Sequence, residues 1–397
     1  MKNHILQLNT IAEKSSRIIL GLMSGTSLDG LDLALCRFTG AGVETTVELL
    51  AFETVPYTEA FKNGIRAVFA KKTIDFQELV LLNATIATHH ASLVLSCLKK
   101  WGVSAWEVDL LASHGQTVYH APRVFHGLSD QPNATLQIGD GDHLASKTGI
   151  ITISDFRQKH VAAGGEGAPL ALYGDYYLFS QKGENRFLLN IGGIANFTFL
   201  PGDESPTKAF ATDTGPGNTL LDAYTREYFQ LPYDENARLA QKGLVDPTLL
   251  SLFLEEPFFQ KPIPKTIGPE LFSLDWIKKT LEKYPKGSPN PYNLLATLTC
   301  LTAKTIADAI KSVNLSGHYR VYISGGGAHN PLILKHLSEF LPRISIVQMK
   351  ELGISGDAKE AILFAALANE TVAGRVGEDT TLGGLPLISM GKISLPG

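Results

Sequence analysis

Three glycine-rich clusters hold most of the chemistry this sequence could perform. The first, Ser24-Gly25-Thr26-Ser27-Leu28-Asp29-Gly30, places hydroxyls and glycines at one turn. Backbone N–H and side-chain O–H donors there can face an anion, with no Cβ at the glycines to block its approach. Asp29 adds an oxygen ligand suited to Mg²⁺, directly or through water. The alternative is a solvated turn whose Ser, Thr and Asp side chains bond their own backbone. The second cluster, Asp213-Thr214-Gly215-Pro216-Gly217-Asn218, stands just before a predicted helix. Its glycines and the helix N-terminus make a second anion cradle, with Asp213 at the edge as a carboxylate fit for a general base. Without chemistry it reads as a Pro-Gly turn with Asn218 as N-cap. The third, Ser324-Gly325-Gly326-Gly327, lets the backbone pass close to a flat ligand. It is one residue short of the dinucleotide fingerprint and lacks a convincing acidic residue about 20 positions on, which disfavours a Rossmann dehydrogenase. No GxxxxGK[ST] occurs, so any phosphate binding is not P-loop binding.

Other candidates are weaker on residue type alone. His114, Gln116 and Thr117 follow the apolar run Asp109–Ser113, at the strand end where parallel sheets place ligand contacts. The pair His89-His90 lies on a predicted helix, and none of the histidines shows HExxH or Cys/His zinc spacing. They read as core or surface histidines, and no transition metal is assigned. Asp357 and Glu360 are spaced as a capping box, which accounts for both without chemistry.

These residues need a frame. Arg17–Leu35 and Arg186–Leu200 each read as an apolar run, a glycine turn (Gly192-Gly193 in the second) and another β-rich run, which is the signature of a hairpin. Between them, Asp75–Trp101 predicts a long helix, with Asp75 and Glu78 as capping box, apolar residues at three- and four-residue steps, and Gly102 as its stop. Asp109–Ser113, Ala134–Ile138 and Gly149–Ser154 read as strands, with His114–Thr117 and residues 162–169 as loops. Phe210–Asn218 reads as a turn-dense loop before a helix, and Glu256–Asn293 as irregular. Tyr319–Ile323 is a predicted strand, Leu332–Leu341 a helix, and residues 357–370 a last helix returning to the first lobe. Strands alternating with helices predict a largely parallel sheet covered on both faces.

Composition bounds the rest. The chain has 397 residues, 44% hydrophobic and 19% charged, which suits two lobes and argues against long disorder. A net charge of −4 offers no basic field for nucleic acid or an anionic membrane. The three cysteines are scattered, without CxxC, as in a reducing compartment. No uninterrupted apolar run of about 18 residues occurs, and residues 1–16 lack a signal-peptide core and read as a tail. The expectation is a soluble, cytoplasmic protein.

Taken in order, the segments GLMSGTSLDGLDLAL (21–35), SHGQTVYH (113–120), LQIGD (136–140), SDFRQKHVAAGGEGAPL (154–170), LNIGGIANFT (189–198), DTGPGN (213–218) and SGGGAHN (324–330) resemble the anhydro-N-acetylmuramic acid kinases. These belong to the acetate and sugar kinase, Hsp70 and actin superfamily. The resemblance implies an α/β, two-lobed fold, each lobe a mixed sheet flanked by helices, with the active site in the interlobe cleft. Lobe 1 would span 17–184 plus about 355–397, and lobe 2 185–354. It implies ATP with Mg²⁺, hydrolytic opening of 1,6-anhydro-N-acetylmuramic acid, and phosphorylation at O6. Asp213 would be the base that activates water, and Glu360 a carboxylate of the sugar site. Ser24 to Leu31 would cradle the phosphates by main chain, Leu28 included, with Asp29 toward Mg²⁺. Gly192, Gly193, Gly215, Gly217, Asn218, Gly325, Gly326 and Gly327 would attend the nucleotide. His114, Gln116, Thr117 and Arg157 would lie at the sugar, and the protein would be a homodimer.

The sequence departs from the family pattern at His160, where DFRxxD has an acidic residue, at Pro269 in the KSTGRE segment, and at Ala211-Thr212 before Asp213. These bear on sugar contacts more than on the reaction. Two other readings differ in kind: a kinase for another amino sugar or a carboxylate, with no water step, and an ATPase that uses lobe closure for interaction. No peptide-binding module is apparent, which weighs against the last.

Overall fold

A computed structural model describes residues 2–268, 271–313, 317–354, 356–374 and 381–397. The chain divides into two units, Met1–Ser180 with Asp357–Gly397, and Gln181–Gly356.

The first unit is built on a sheet that begins with the predicted hairpin. Strand β1 (Ser16–Ser24) pairs antiparallel with β2 (Gly30–Thr39), Ser24 opposite Leu31, and β2 pairs with β3 (Thr46–Pro56). On the other side of β1, β4 (Leu110–Ala121) runs parallel, and β6 (Thr152–Ser154) runs parallel to β4. Strand β5 (Ala134–Ile138) pairs with β4, and the short strand Lys392–Ser394 closes the edge beside β6.

The second unit repeats the plan. β7 (Asn185–Ile191), β8 (Ile194–Leu200) and β9 (Phe210–Pro216) form an antiparallel meander. β10 (Tyr319–Ser324) and β11 (Ser345–Gln348) follow on the far side of β7, both parallel to it. The likeness of the two hairpins thus extends to whole sheets. Both sheets are mixed, which corrects the expectation of a largely parallel one: a tight turn reverses the chain, and only strands reached by a long crossover run parallel.

Other expectations shift as well. β4 continues through His114–Thr117, predicted as a loop, because its polar residues are partnered inside the protein. Phe210–Pro216 is strand β9 at the sheet edge, where glycine and proline near a strand end are tolerated. Residues 1–16, read as a tail, contain the helix Lys2–Glu13, whose Ile11 is buried, and Lys14 pairs with Asp109 at 2.5 Å. Glu256–Asn293 holds the helices Pro257–Gln260 and Leu274–Leu281.

Two helices matter for the site in the first unit. Phe76–Trp101 is capped by Asp75, which accepts from the N–H groups of Gln77 and Glu78, and ends at Gly102 with φ +70°. By length and hydropathy it could cross a membrane (mean hydropathy 1.4). Here Ala87, Ala91, Val94, Cys97 and Leu98 pack with Leu20, Leu22, Leu31 and Leu111 of the sheet as one core. The helix Lys359–Ala373 lies against β1 so closely that a Cβ on Gly21 would sit 1.9 Å from Ala361 O. In the second unit, Leu294, Leu298, Leu301 and Ile306 of Pro291–Ser312 pack on Phe187, Leu189 and Phe197.

Candidate active site

The turn between β1 and β2 presents Thr26, Ser27 and Asp29 to solvent while burying Ser24 and Leu28. Leu28 adopts φ +60° and anchors the turn in an apolar cluster with Ile65, Ile86 and Ile138. Its N–H donates to Gly25 O at 3.3 Å. Below the turn, Ser24 Oγ donates to Gln116 Oε1 at 2.5 Å, and Gln116 Nε2 reaches the Gly25 carbonyl at 3.4 Å. Gln116 is fully buried. Gln116 therefore sits behind the 24–30 turn and supports it. The two glycines serve different ends. A Cβ on Gly30 would lie 2.3 Å from Val55 O, so it is needed for strand packing. Gly25 has no such neighbour, its closest being Ser27 Oγ at 3.6 Å, which leaves its surface open to a ligand.

His114 is also buried and supports Arg157, while lining a cavity of about 510 Å³ with Ser113, Gln137 and Asp155 among others. Its Nε2 accepts from Arg157 Nε at 3.1 Å and lies 3.0 Å from Nη2, while Nδ1 faces Gly115 O at 3.0 Å. Burial, with Arg157 beside it, lowers the imidazole to about 3 and keeps it neutral. Arg157 Nη1 donates to Gly167 O at 2.7 Å, and the guanidinium remains half-buried. Thr117 is half-buried on β4 and accepts from Gln137 Nε2 at 3.2 Å. His160, the departure from the family's acidic residue, is buried and accepts the Gly167 N–H at 2.9 Å. It anchors the glycine loop and points away from solvent.

Glu360 does not cap its helix. Lys359–Ala373 begins after Ala358, with no side-chain cap, so the expected Asp357–Glu360 box does not form and the non-chemical explanation for Glu360 falls away. The carboxylate is solvent-accessible, yet surrounding protein raises its pKa, with Arg157 pulling it down and Asp32 pushing it up. Asp32, overlooked in the sequence, is raised by burial as well, against a hydrogen bond from Thr54 Oγ1 at 2.6 Å, with Asp357 and Asp29 adding to the rise.

In the second unit, Asp213 sits on edge strand β9, paired with the segment around Lys265. Its N–H donates to Lys265 O at 2.9 Å, and its Oδ2 accepts the Ile267 N–H at 2.8 Å. Burial raises the carboxyl pKa, and that single N–H only partly offsets it. Thr212 Oγ1 accepts the Lys265 N–H at 2.9 Å, so this departure also stitches β9 to its neighbour. Pro269 lies outside the described residues.

The helix Asn218–Phe229 was expected to offer free N–H groups to an anion. Three are taken: Gly217 and Thr219 donate to Gly193 O, and Asn218 to Gly192 O. The hairpin turn of β7–β8 caps the helix, which corrects the second cradle. Gly217 and Gly193 are small because turn and helix touch; added Cβ atoms would meet Gly192 O at 2.4 Å and Thr219 Oγ1 at 2.3 Å. Gly215 is buried, and its Cβ position lies 2.8 Å from Thr305 Oγ1.

What does open beside this helix is a cavity of about 360 Å³, walled by Asn218, Asp222, Asp234, Asn236, Gly326 and Asn330 among others. Gly325 takes φ +81°, and added Cβ atoms on Gly325 and Gly327 would clash with Ile191, so this turn is pressed onto the end of β7. The cavity size suits a small-molecule moiety. Its wall at 234–236 went unread, although Asn236 at φ +54° carries the Asn turn preference.

Among the described residues, no three His, Cys, Asp or Glu side chains gather where a metal could be held. Asp29 is exposed on the 24–30 turn.

Two mixed sheets of one topology, each led by a hairpin with a glycine turn, make this an α/β protein of two similarly built units. The family model described as anhydro-N-acetylmuramic acid kinase matches residues 17–393. Proteins of that name from Pseudoalteromonas atlantica and Pseudoalteromonas translucida are 50% and 47% identical, covering 100% and 99% of both chains respectively. One from Caldanaerobacter subterraneus is 37% identical over 97% of this chain and 98% of its own. The chain belongs to the anhydro-N-acetylmuramic acid kinase family.

Proposed function

We propose that the protein is an ATP-dependent phosphotransferase that opens 1,6-anhydro-N-acetylmuramic acid with water and phosphorylates O6, giving N-acetylmuramate 6-phosphate and ADP in cell-wall recycling. The full-length match to relatives of that name carries the reading. The chemistry follows from the residues. Asp213, its pKa raised and one oxygen held by Ile267, takes a proton from the attacking water. Water oxygen bonds to the anomeric carbon as the bond from that carbon to O6 breaks. The freed O6 bonds to the γ-phosphorus as ADP leaves, so the reaction uses the leaving oxygen as its nucleophile. Main-chain N–H groups of the 24–30 turn hold phosphate oxygens, and Gly326 and Asn218 flank the nucleoside cavity. Mg²⁺, when bound, neutralises charge on the transferred phosphoryl group. Arg157 offers a fixed cation to the sugar's carboxylate, with Thr117 and Glu360 nearby for its hydroxyls. We place the reaction in the cytoplasm, where thiols such as the free Cys36, Cys97 and Cys300 stay reduced.

Incubation with ATP, Mg²⁺ and the anhydro sugar in ¹⁸O-water tests this. The expected product carries label at the anomeric hydroxyl when analysed before exchange. Phosphorylation without label would point to a kinase with no water step, and sugar-independent ATP turnover to an interaction ATPase.

A further inference from the structure

The histidine pair on the long helix finds a use once its surroundings are traced. His90 is fully buried, and its Nε2 lies 2.8 Å from Tyr57 Oη. Tyr57 Oη is 2.8 Å from Ser24 Oγ, which is 2.5 Å from Gln116 Oε1, and Gln116 Nε2 reaches Gly25 O. Four side chains from three strands or their flanks and one helix thus form a polar chain through an otherwise apolar core, whose members include Leu22, Leu31, Ala87 and Ala91.

Donor counting fixes its direction. Ser24 has one proton and gives it to Gln116; Tyr57 has one and gives it to Ser24. Tyr57 therefore accepts from His90, whose proton must sit on Nε2. The other nitrogen, Nδ1, is buried with no partner among the described residues, which is less costly for a bare nitrogen than for an N–H. Polar groups buried this way cost stability unless every link is made, so the chain is more than filler.

Its far end explains what it achieves. A trans peptide points its C=O and N–H in opposite directions. The Gly25 carbonyl accepts from Gln116 Nε2 at 3.4 Å as well as from the Leu28 N–H at 3.3 Å, and holding it there turns the N–H of Thr26, in the same peptide plane, the opposite way.

We infer that Tyr57 and His90 are positioning residues of the phosphate turn, orienting the Thr26 N–H toward a nucleotide phosphate through Ser24, Gln116 and the Gly25 carbonyl. The inference rests on the reading of residues 24–30 as the phosphate turn. Neither residue touches the reacting atoms.

The test uses full-length Tyr57→Phe, His90→Gln and His90→Leu. Affinity for a non-hydrolysable ATP analogue with Mg²⁺ is measured by calorimetry, and amide hydrogen exchange of residues 25–29 is followed in the ligand-free chain. Tyr57→Phe keeps the ring and removes the link. It should weaken analogue binding about tenfold and speed exchange at the turn, with KM for the sugar unchanged. His90→Gln retains an N–H donor and should bind more tightly than His90→Leu. Wild-type affinity and exchange in Tyr57→Phe would overturn the inference, as would equal behaviour of the two His90 variants or a wild-type chain that fails to bind the analogue. If the wild-type chain binds the analogue but does not phosphorylate the anhydro sugar, the proposed reaction fails while the binding comparison still decides the role of Tyr57 and His90.

Discussion

The main-chain N–H of Ile267 donates to Asp213 Oδ2 at 2.8 Å, so one oxygen of the carboxylate is held in place by the backbone 54 positions on. With burial raising its pKa, the group is a stronger base than a solvated aspartate. Asp213→Asn keeps the shape and accepts the same N–H through its carbonyl. Turnover is expected to fall by about two to four orders of magnitude while ATP affinity is retained. In the wild type, the base works only when ionised. The acid limb of kcat/KM should therefore fall at a pH above the ordinary aspartate range of about 4. Near-normal turnover in the variant would remove Asp213 from this role.

Arg157 depends on a neutral histidine behind it. His114 accepts from the guanidinium with Nε2, and a protonated ring could not do so. His114→Leu leaves a half-buried cation short of an acceptor, and KM for the sugar is expected to rise about 10- to 100-fold with smaller change in KM for ATP. His114→Gln, which restores an acceptor, should recover part of the loss. Because the imidazole is lowered to about 3, no limb from His114 should cross the profile between about pH 5 and 8. A limb in that range that disappears in the His114 variants would contradict the arrangement.

How much of this was legible in the sequence depends on whether a residue's partner was local. The hairpin around Ser24–Gly30, the helix start at Asp75 and its stop at Gly102 are local signals, and they appear where the spacing placed them. The internal partners of Gln116 and His114 were hidden for a shared reason. Ser24 and Arg157 lie 92 and 43 positions away, so nothing local shows that a polar residue beside a strand end is also an internal support. The same distance hid Tyr57 and His90. The helix N-terminus at Asn218 looked free because its acceptors, Gly192 and Gly193, belong to a hairpin earlier in the chain. Glycine in the phosphate and nucleotide clusters reads as room for a ligand, whereas at Gly30 and Gly217 it is room for backbone and at Gly193 room for the Thr219 side chain.

Glu360 separates a capping role from a chemical one. Its helix forms without its side chain as a cap, and the carboxylate is reachable by solvent. Glu360→Gln is therefore expected to change folding stability by no more than about 0.5 kcal/mol. Loss of the charge should nonetheless lower kcat/KM for the sugar about tenfold or more, since its neighbour Arg157 and any sugar hydroxyl both feel that charge. A thermal melt and steady-state kinetics on one preparation decide it. A large stability loss, or unchanged kinetics, would return Glu360 to a structural role.

Two glycines that look equivalent in the sequence should fail in opposite ways. At Gly217 a methyl group would lie 2.4 Å from the Gly192 carbonyl and 3.1 Å from Gly193 O, both backbone atoms that cannot swing aside. Gly217→Ala should destabilise the protein by about 1–3 kcal/mol, read as a lower denaturation midpoint. At Gly25 the nearest atom to such a methyl is Ser27 Oγ at 3.6 Å, so the free protein accommodates it. Gly25→Ala should leave the unfolding free energy within about 0.5 kcal/mol of wild type. It should instead weaken nucleotide binding, because the methyl occupies the surface a phosphate must approach. If Gly25→Ala binds nucleotide as the wild type does, the 24–30 turn is not where the phosphates lie, whatever the outcome at Gly217.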